Sequence, residues 1–279
     1  MRFHIHPDQR GVGDIIRKRA LDRGHMLDPM HPQAAFFRLT NYGDTGMNDF
    51  KRAIQRGIPT VPEYVASVYY DDKLAQASAL KSWIPETRVY FAPPDAVPFA
   101  YPFISKTSHG SGSKNVRLIE NERQARAEID LTFGRGIPCN RGPQTGYLYW
   151  QEFIAGNDGD VRVCITGDHM FGLRRMNHPG RVMASGSGRC QPIDALTPRD
   201  RDAFVMADEI ARKIGSRWCC FDFVFSPGRV YCLEVSFAWT EDAYNGCLTF
   251  DRETLKRDGR SAKDWPEFAV DELERIAAA

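Results

Sequence analysis

Apolar positions along the chain recur with two periods, and the switches between them outline the elements. "RFHIH" alternates and reads as a short strand. "VGDIIRKRALDRG" has helical spacing, with Ile15, Ile16 and Ala20 expected on one face and Gly24 able to end it. "AAFFRLTN" predicts a second strand and "MNDFKRAIQRG" a second helix closing on Gly57. "GIPTVPEYV" is then extended, because its prolines oppose a helix. "DDKLAQASALKSW" predicts a helix. Pro93, Pro94, Pro98 and Pro102 make "FAPPDAVPFAYP" an extended connector.

"FISKTSHGSGSKNVRLIE" reads as strand, glycine loop, strand, and "NERQARAEIDLTFG" as a helix. "GYLYWQEFIAG" and "DVRVCITGDHMFGLRRMN" are strands. "TPRDRDAFVMADEIARKIG" is a helix with Thr197 as N-cap and Gly215 just past its end. The tail from Arg252 reads as helical, polar and loosely packed.

The most informative pattern is "CCFDFVFSPGRVYCLEVSFAW", two apolar arms around Pro227-Gly228, each carrying an acid. Strand alternation puts Phe221, Phe223 and Phe225 on one face. Matching that face to Tyr231, Leu233, Val235 and Phe237 selects a three-residue loop, Pro227 to Arg229. Phe223 then opposes Leu233, and Asp222 opposes Glu234, with Cβ atoms roughly 5 Å apart. Two facing carboxylates need a proton or a cation between them. Oxygen ligands of this kind suit Mg²⁺, which takes one or two carboxylates plus phosphates. The plainer alternative is the solvated side of an edge hairpin.

Composition narrows the classes. With 37 Lys and Arg against 36 Asp and Glu, the net charge of +1 gives no electrostatic case for nucleic acid or membrane. Seven cysteines without a CxxC pair suggest a reducing, cytoplasmic setting. The start "MRFHIHPDQR" lacks the apolar core of a signal peptide, and no run is long enough to span a bilayer. His4 and His6 alternate in a first strand and read as strand residues. Cys219 and Cys220 point to opposite faces and cannot readily chelate.

Further candidates are ligands for phosphate. The loop "SHGSGSKN" allows backbone N–H groups to approach a polyphosphate, although no Walker A motif can be laid on it. Lys106 precedes it, and "GDVRV" and "LRRMN" put arginines on strands.

The order of these features resembles the ATP-grasp superfamily, most closely RimK-like and glutathione-synthetase-like carboxylate–amine ligases, over roughly residues 71 to 250. The resemblance implies two α+β lobes sandwiching ATP, preceded by a small N-terminal α/β domain. It divides the chain into residues 1–70, an N-lobe 71–148 with a glycine-rich flap, a C-lobe 149–250 with a metal site, and a helical tail 251–279. By the same resemblance Lys73 and Lys106 contact ATP, and Gly110, Ser111, Gly112 and Ser113 form the flap. Glu152 and Phe153 meet adenine, and Asp160 lies at the ribose side. Arg162, Arg181 and Lys106 serve catalysis, with Arg174 and Arg175 as unranked competitors for the role of Arg181. Asp222, Glu234 and Ser236 hold Mg²⁺ or Mn²⁺.

The family pattern has Asn where this chain has Ser236, so Asn245 or Asn177 are alternative ligands. "RVMASGSGR" and "FAWTEDAYNG" are expected to line the acceptor pocket. The implied partners are ATP, a carboxylate of unknown identity (an amino acid or peptide is compatible), an amine acceptor and, optionally, a second copy of the chain. An ATP-grasp kinase and an ATP-binding module without turnover are the competing functions.

Overall fold

The computed structural model describes residues 1–8, 11–39, 44–110, 115–139 and 142–279. The N-terminal unit comprises β1 (Arg2–Ile5), α1 (Val12–Asp22), β2 (Met26–Leu27), β3 (Ala34–Phe36), α2 (Asp44–Gln55), β4 (Thr60–Val61) and the short α3 (Ala66–Tyr69). Its strands are parallel in the order β2-β1-β3-β4. Crossover helices account for the continuous apolar runs: Phe3, Ile5, Ala34, Ala35 and Phe36 are all buried. The buried face of α1 is Val12, Ile16 and Ala20, spaced by four, whereas Ile15 is 48% exposed. One residue is a 100° step on a helix, so Ile15 turns off the face expected to include it.

The second unit begins with α4 (Lys73–Ala79), shorter than the predicted helix and capped by Asp72, whose carboxylate accepts from Leu74 and Ala75 N–H. It continues through β5 (Thr87–Tyr90), β6 (Phe103–Lys106), β7 (Val116–Ile119), α5 (Glu122–Phe133) and β8 (Leu148–Glu152). The strands form an antiparallel sheet, β5-β8-β6-β7. Phe103, Ile119, Ala125, Leu148 and Trp150 make its separate small core.

The third unit contains β9 (Gly159–Thr166), β10 (His169–Met176), β11 (Cys190–Pro192), α6 (Pro198–Ile214), β12 (Trp218–Ser226), β13 (Arg229–Ser236), β14 (Leu248–Asp251) and β15 (Arg257–Ser261). Its seven-stranded sheet runs β13-β12-β9-β10-β14-β15, with β11 also on β10. α6 starts at a capping box, Thr197 with Asp200, and stops at Gly215 in the left-handed region. Its apolar stripe (Phe204, Ala207, Ile210, Ala211) packs against Val161, Val163, Phe221 and Phe223. The residues between those strand positions therefore face the other way.

The β12–β13 hairpin corrects the predicted loop. Ser226 pairs with Arg229, leaving a two-residue Pro227-Gly228 turn with Gly228 at φ 73°. Such a turn shifts the register by one, and a β-bulge between Asp222 and Phe223 shifts it back. Leu233 is the extra residue. Phe223 consequently opposes Cys232, not Leu233, and Asp222 still opposes Glu234.

The tail is also corrected. α7 (Trp265–Ala278) buries Trp265, Phe268, Ala269, Val270 and Leu273 in one core with Phe3, Phe36 and Val61 of the N-terminal sheet. Three of its acids, Glu267, Asp271 and Glu274, pair with Arg23, and the fourth, Glu272, is buried and pairs with Arg217 and Arg275. The tail looked loose because its acids raise its polarity, yet helical spacing gathers its apolar residues on one side. No helix among the described residues is long and apolar enough to cross a membrane.

Candidate active site

A cavity of about 500 Å³ is lined by residues of all three units. Its floor is the face of the large sheet opposite α6. Glu234 on β13, Asp222 on β12 and Arg162 on β9 are successive cross-strand partners. Arg162 donates to Asp222 through Nε at 2.6 Å and Nη2 at 2.8 Å. Asp160, two residues before Arg162, opposes Arg175 on β10. Arg175 donates to both Asp160 oxygens at 2.6 and 2.7 Å, and its Nη2 also lies 2.8 Å from Asp222 Oδ2. Burial would push the Asp222 carboxyl up, but Arg162 and Arg175 hold it well below the usual carboxylate range. Asp160, which has Arg175 as its main cationic neighbour, is pushed up by burial.

Strand alternation puts the two β10 arginines on opposite faces of the sheet. Arg174 lies on the α6 side, paired with Asp200, whereas Arg175 lines the cavity. Arg181 is exposed beyond the Pro179-Gly180 turn and outside the cavity lining, so the expected catalytic arginine is not brought to the site. Its neighbours Val182 to Gly186 do line the cavity, as do Ala238, Trp239 and Thr240.

The opposite wall comes from the small sheet and α4. Lys106, at the end of β6, is buried and donates to Gln151 Oε1 at 2.7 Å. Burial first, with repulsion from Lys73 adding to it, pushes its ammonium down to about 8 against the pull of Glu234. Lys73 opens α4, donates to the Gly110 carbonyl at 3.0 Å and lies 3.4 Å from Glu234. Gln76, one turn on, exchanges two hydrogen bonds with the backbone of Val235 on the open edge of β13. That side chain docks α4 on the hairpin and brings Lys73 to Glu234.

Asp71 accepts from Gly110 N–H at 2.7 Å, fixing the root of the glycine loop. Ser111, Gly112 and Ser113 lie outside the described residues. Gln151, Glu152, Phe153 and Ile154 line the cavity beyond Lys106, with Glu152 exposed. Asp160, expected at a ribose, is engaged by Arg175. Sequence reasoning missed Gln76, Gln151 and the Arg38–Glu241 pair (2.7 Å), because an amide or an ion pair has no signature without its partner.

Ser236 lines the cavity two residues beyond Glu234 on the same strand. Of the alternative asparagines, Asn177 lines it and Asn245 does not. Among the described residues no group of three or more His, Cys, Asp or Glu could hold a metal ion. The donor set of Asp222, Glu234 and Ser236 consists of oxygens alone and supplies two carboxylates. It fits a hard cation that brings further oxygens with it, as a metal–phosphate complex does.

No protein-family model matches the sequence, and no curated protein matches it significantly. Solved structures do match over the whole chain. A RimK-domain ATP-grasp protein from Sphaerobacter thermophilus aligns with 98% of this chain and 100% of its own at TM-score 0.62 and 16% identity. The D-alanine–D-alanine ligase from Bacillus anthracis complexed with ATP aligns over 99% and 97% at TM-score 0.64 and 11% identity. The ATP-grasp ligase PsnB, complexed with its precursor peptide PsnA2 and AMPPNP, aligns over 100% and 98% at TM-score 0.59 and 15% identity. The chain has the ATP-grasp fold, an α+β architecture that it shares with ligases.

Proposed function

We propose that this chain is an ADP-forming ATP-grasp ligase that joins a carboxylate to an amine through an acyl phosphate. The observation that carries the reading is the cross-strand row Glu234, Asp222 and Arg162 facing Lys73 and Lys106 across one cavity. In the first step a substrate carboxylate oxygen attacks the γ-phosphorus of ATP, the bond to the β,γ-bridging oxygen breaks, and ADP leaves. In the second an amine attacks the acyl carbon, phosphate departs, and the amine gives up its extra proton to form an amide.

Neither step needs a side-chain nucleophile, so the protein's contribution is positioning and charge. Glu152 and Phe153 meet the adenine, and the backbone of the loop from Gly110 to Ser113 covers the phosphates. Lys73, Lys106 and Arg162 offset the negative charge that develops on the transferring phosphoryl group. Mg²⁺ or Mn²⁺ held by Asp222, Glu234 and Ser236 would neutralise phosphate charge when bound. Arg175, with its fork already aimed at the carboxylate row, takes the part the resemblance gave to Arg181. An amino acid or peptide substrate is compatible with the ligases that share the fold, one of them complexed with a peptide.

The test is an ADP-release screen of the purified protein against pools of amino acids, peptides and small acids. Release that needs both an acid and an amine supports the ligase. Release with a stable phosphorylated product and no amine would replace it with a kinase.

A further inference from the structure

Asp222 is the most heavily engaged carboxylate of the site. A carboxylate has two oxygens and about four acceptor positions. Three are taken by guanidinium N–H groups, two from Arg162 and one from Arg175. Arg175 is itself fixed from behind by the two-bond clamp of Asp160. The backbone pins it too: a Cβ on Gly159 would lie 1.9 Å from the Arg175 carbonyl, so only glycine lets β9 pass this close. The cavity lining carries as many cations (Arg38, Lys73, Lys106, Arg162 and Arg175) as carboxylates (Asp71, Glu152, Asp160, Asp222 and Glu234). A bare divalent cation arriving here meets no net negative charge and a carboxylate with little open coordination.

We propose that Arg175 is a cage on Asp222 that keeps divalent cations out of the empty site and admits them only together with nucleotide. The proposal rests on the metal–nucleotide reading of the cavity. A polyphosphate reverses both obstacles. Its oxygens are alternative acceptors for the arginine forks, which releases positions on Asp222, and its charge turns the local balance negative. The order of binding is thus nucleotide before, or with, the cation.

The test follows free Mn²⁺ by electron paramagnetic resonance as protein is titrated into it, without nucleotide and with a non-hydrolysable ATP analogue. Wild-type protein should leave Mn²⁺ free when alone and take it up with the analogue. Arg175→Met should bind Mn²⁺ alone at least about tenfold more tightly than wild type, since Asp222 loses a competing cation. Because that variant leaves Asp160 buried without its partner, the pair Asp160→Asn with Arg175→Met removes both charges and should move Mn²⁺ affinity the same way. Tight Mn²⁺ binding by wild type alone overturns the cage, as does unchanged affinity in both variants. No uptake even with the analogue would take down the metal–nucleotide reading and the cage with it.

Discussion

On the large sheet the buried charges facing the cavity are matched ion to ion: Arg162 with Asp222, and Arg175 with Asp160 and Asp222. Across the cavity the small sheet and α4 hold theirs with neutral groups. Lys106 donates to an amide and Lys73 to a peptide carbonyl, with Glu234 further off at 3.4 Å. A paired arginine keeps its charge at low cost, whereas a buried lysine with an amide partner carries an unpaid desolvation penalty. The sheet side is built to hold geometry, and the lysine side is poised for an incoming anion.

Substitutions should separate the two sides. Asp222→Asn strips two guanidiniums of their counter-charge and removes a proposed metal ligand. ATP turnover should fall about 10³-fold or more in an ADP assay. Stability should drop by about 3 kcal/mol in denaturant unfolding with the fold retained. Undiminished ATPase activity would remove Asp222 from the chemistry. Lys106→Met should move the two readouts in opposite directions. ATP affinity should weaken about tenfold to a hundredfold with the loss of a phosphate-facing charge, while the melting temperature rises by a few degrees as a buried charge disappears.

The same contrast gives a pH signature. With Lys106 titrating at about 8, ATP affinity should fall up to about tenfold between pH 7 and 9 as the cation is lost. The folded-state value lies below the ordinary lysine range, so the unfolded chain binds more protons there. The contribution to stability therefore rises with pH from about 8 toward 10.5, opposite to binding. Lys106→Met should flatten both profiles. The smallest effect belongs to the far face of the large sheet: Thr197→Ala removes the α6 cap and should cost about 1 kcal/mol without changing ATP affinity.

What could be read from the sequence follows the same division. Alternation and apolar matching placed Asp222 opposite Glu234, and this survives although the turn and the bulge were misjudged, because their one-residue errors cancel. Lys73 and Lys106 were named through the family resemblance, and both line the cavity. Long-range partners could not: Gln76 meets β13 across 159 positions, and nothing local in "KLAQ" signals it. Arg174 and Arg175 are indistinguishable as neighbours until a paired strand sets which one faces α6. The tail was misread because its buried stripe has its partner at the opposite end of the chain.

The central claim is that the space between the lysine side and the paired-charge sheet is a metal–nucleotide site. Calorimetric titration of Mg·ATP into the wild-type protein, with Lys106→Met as its control, tests this most directly. The account predicts saturable binding at one site per chain that Lys106→Met weakens. Absence of heat at millimolar ATP, or equal affinity in the two proteins, would contradict it.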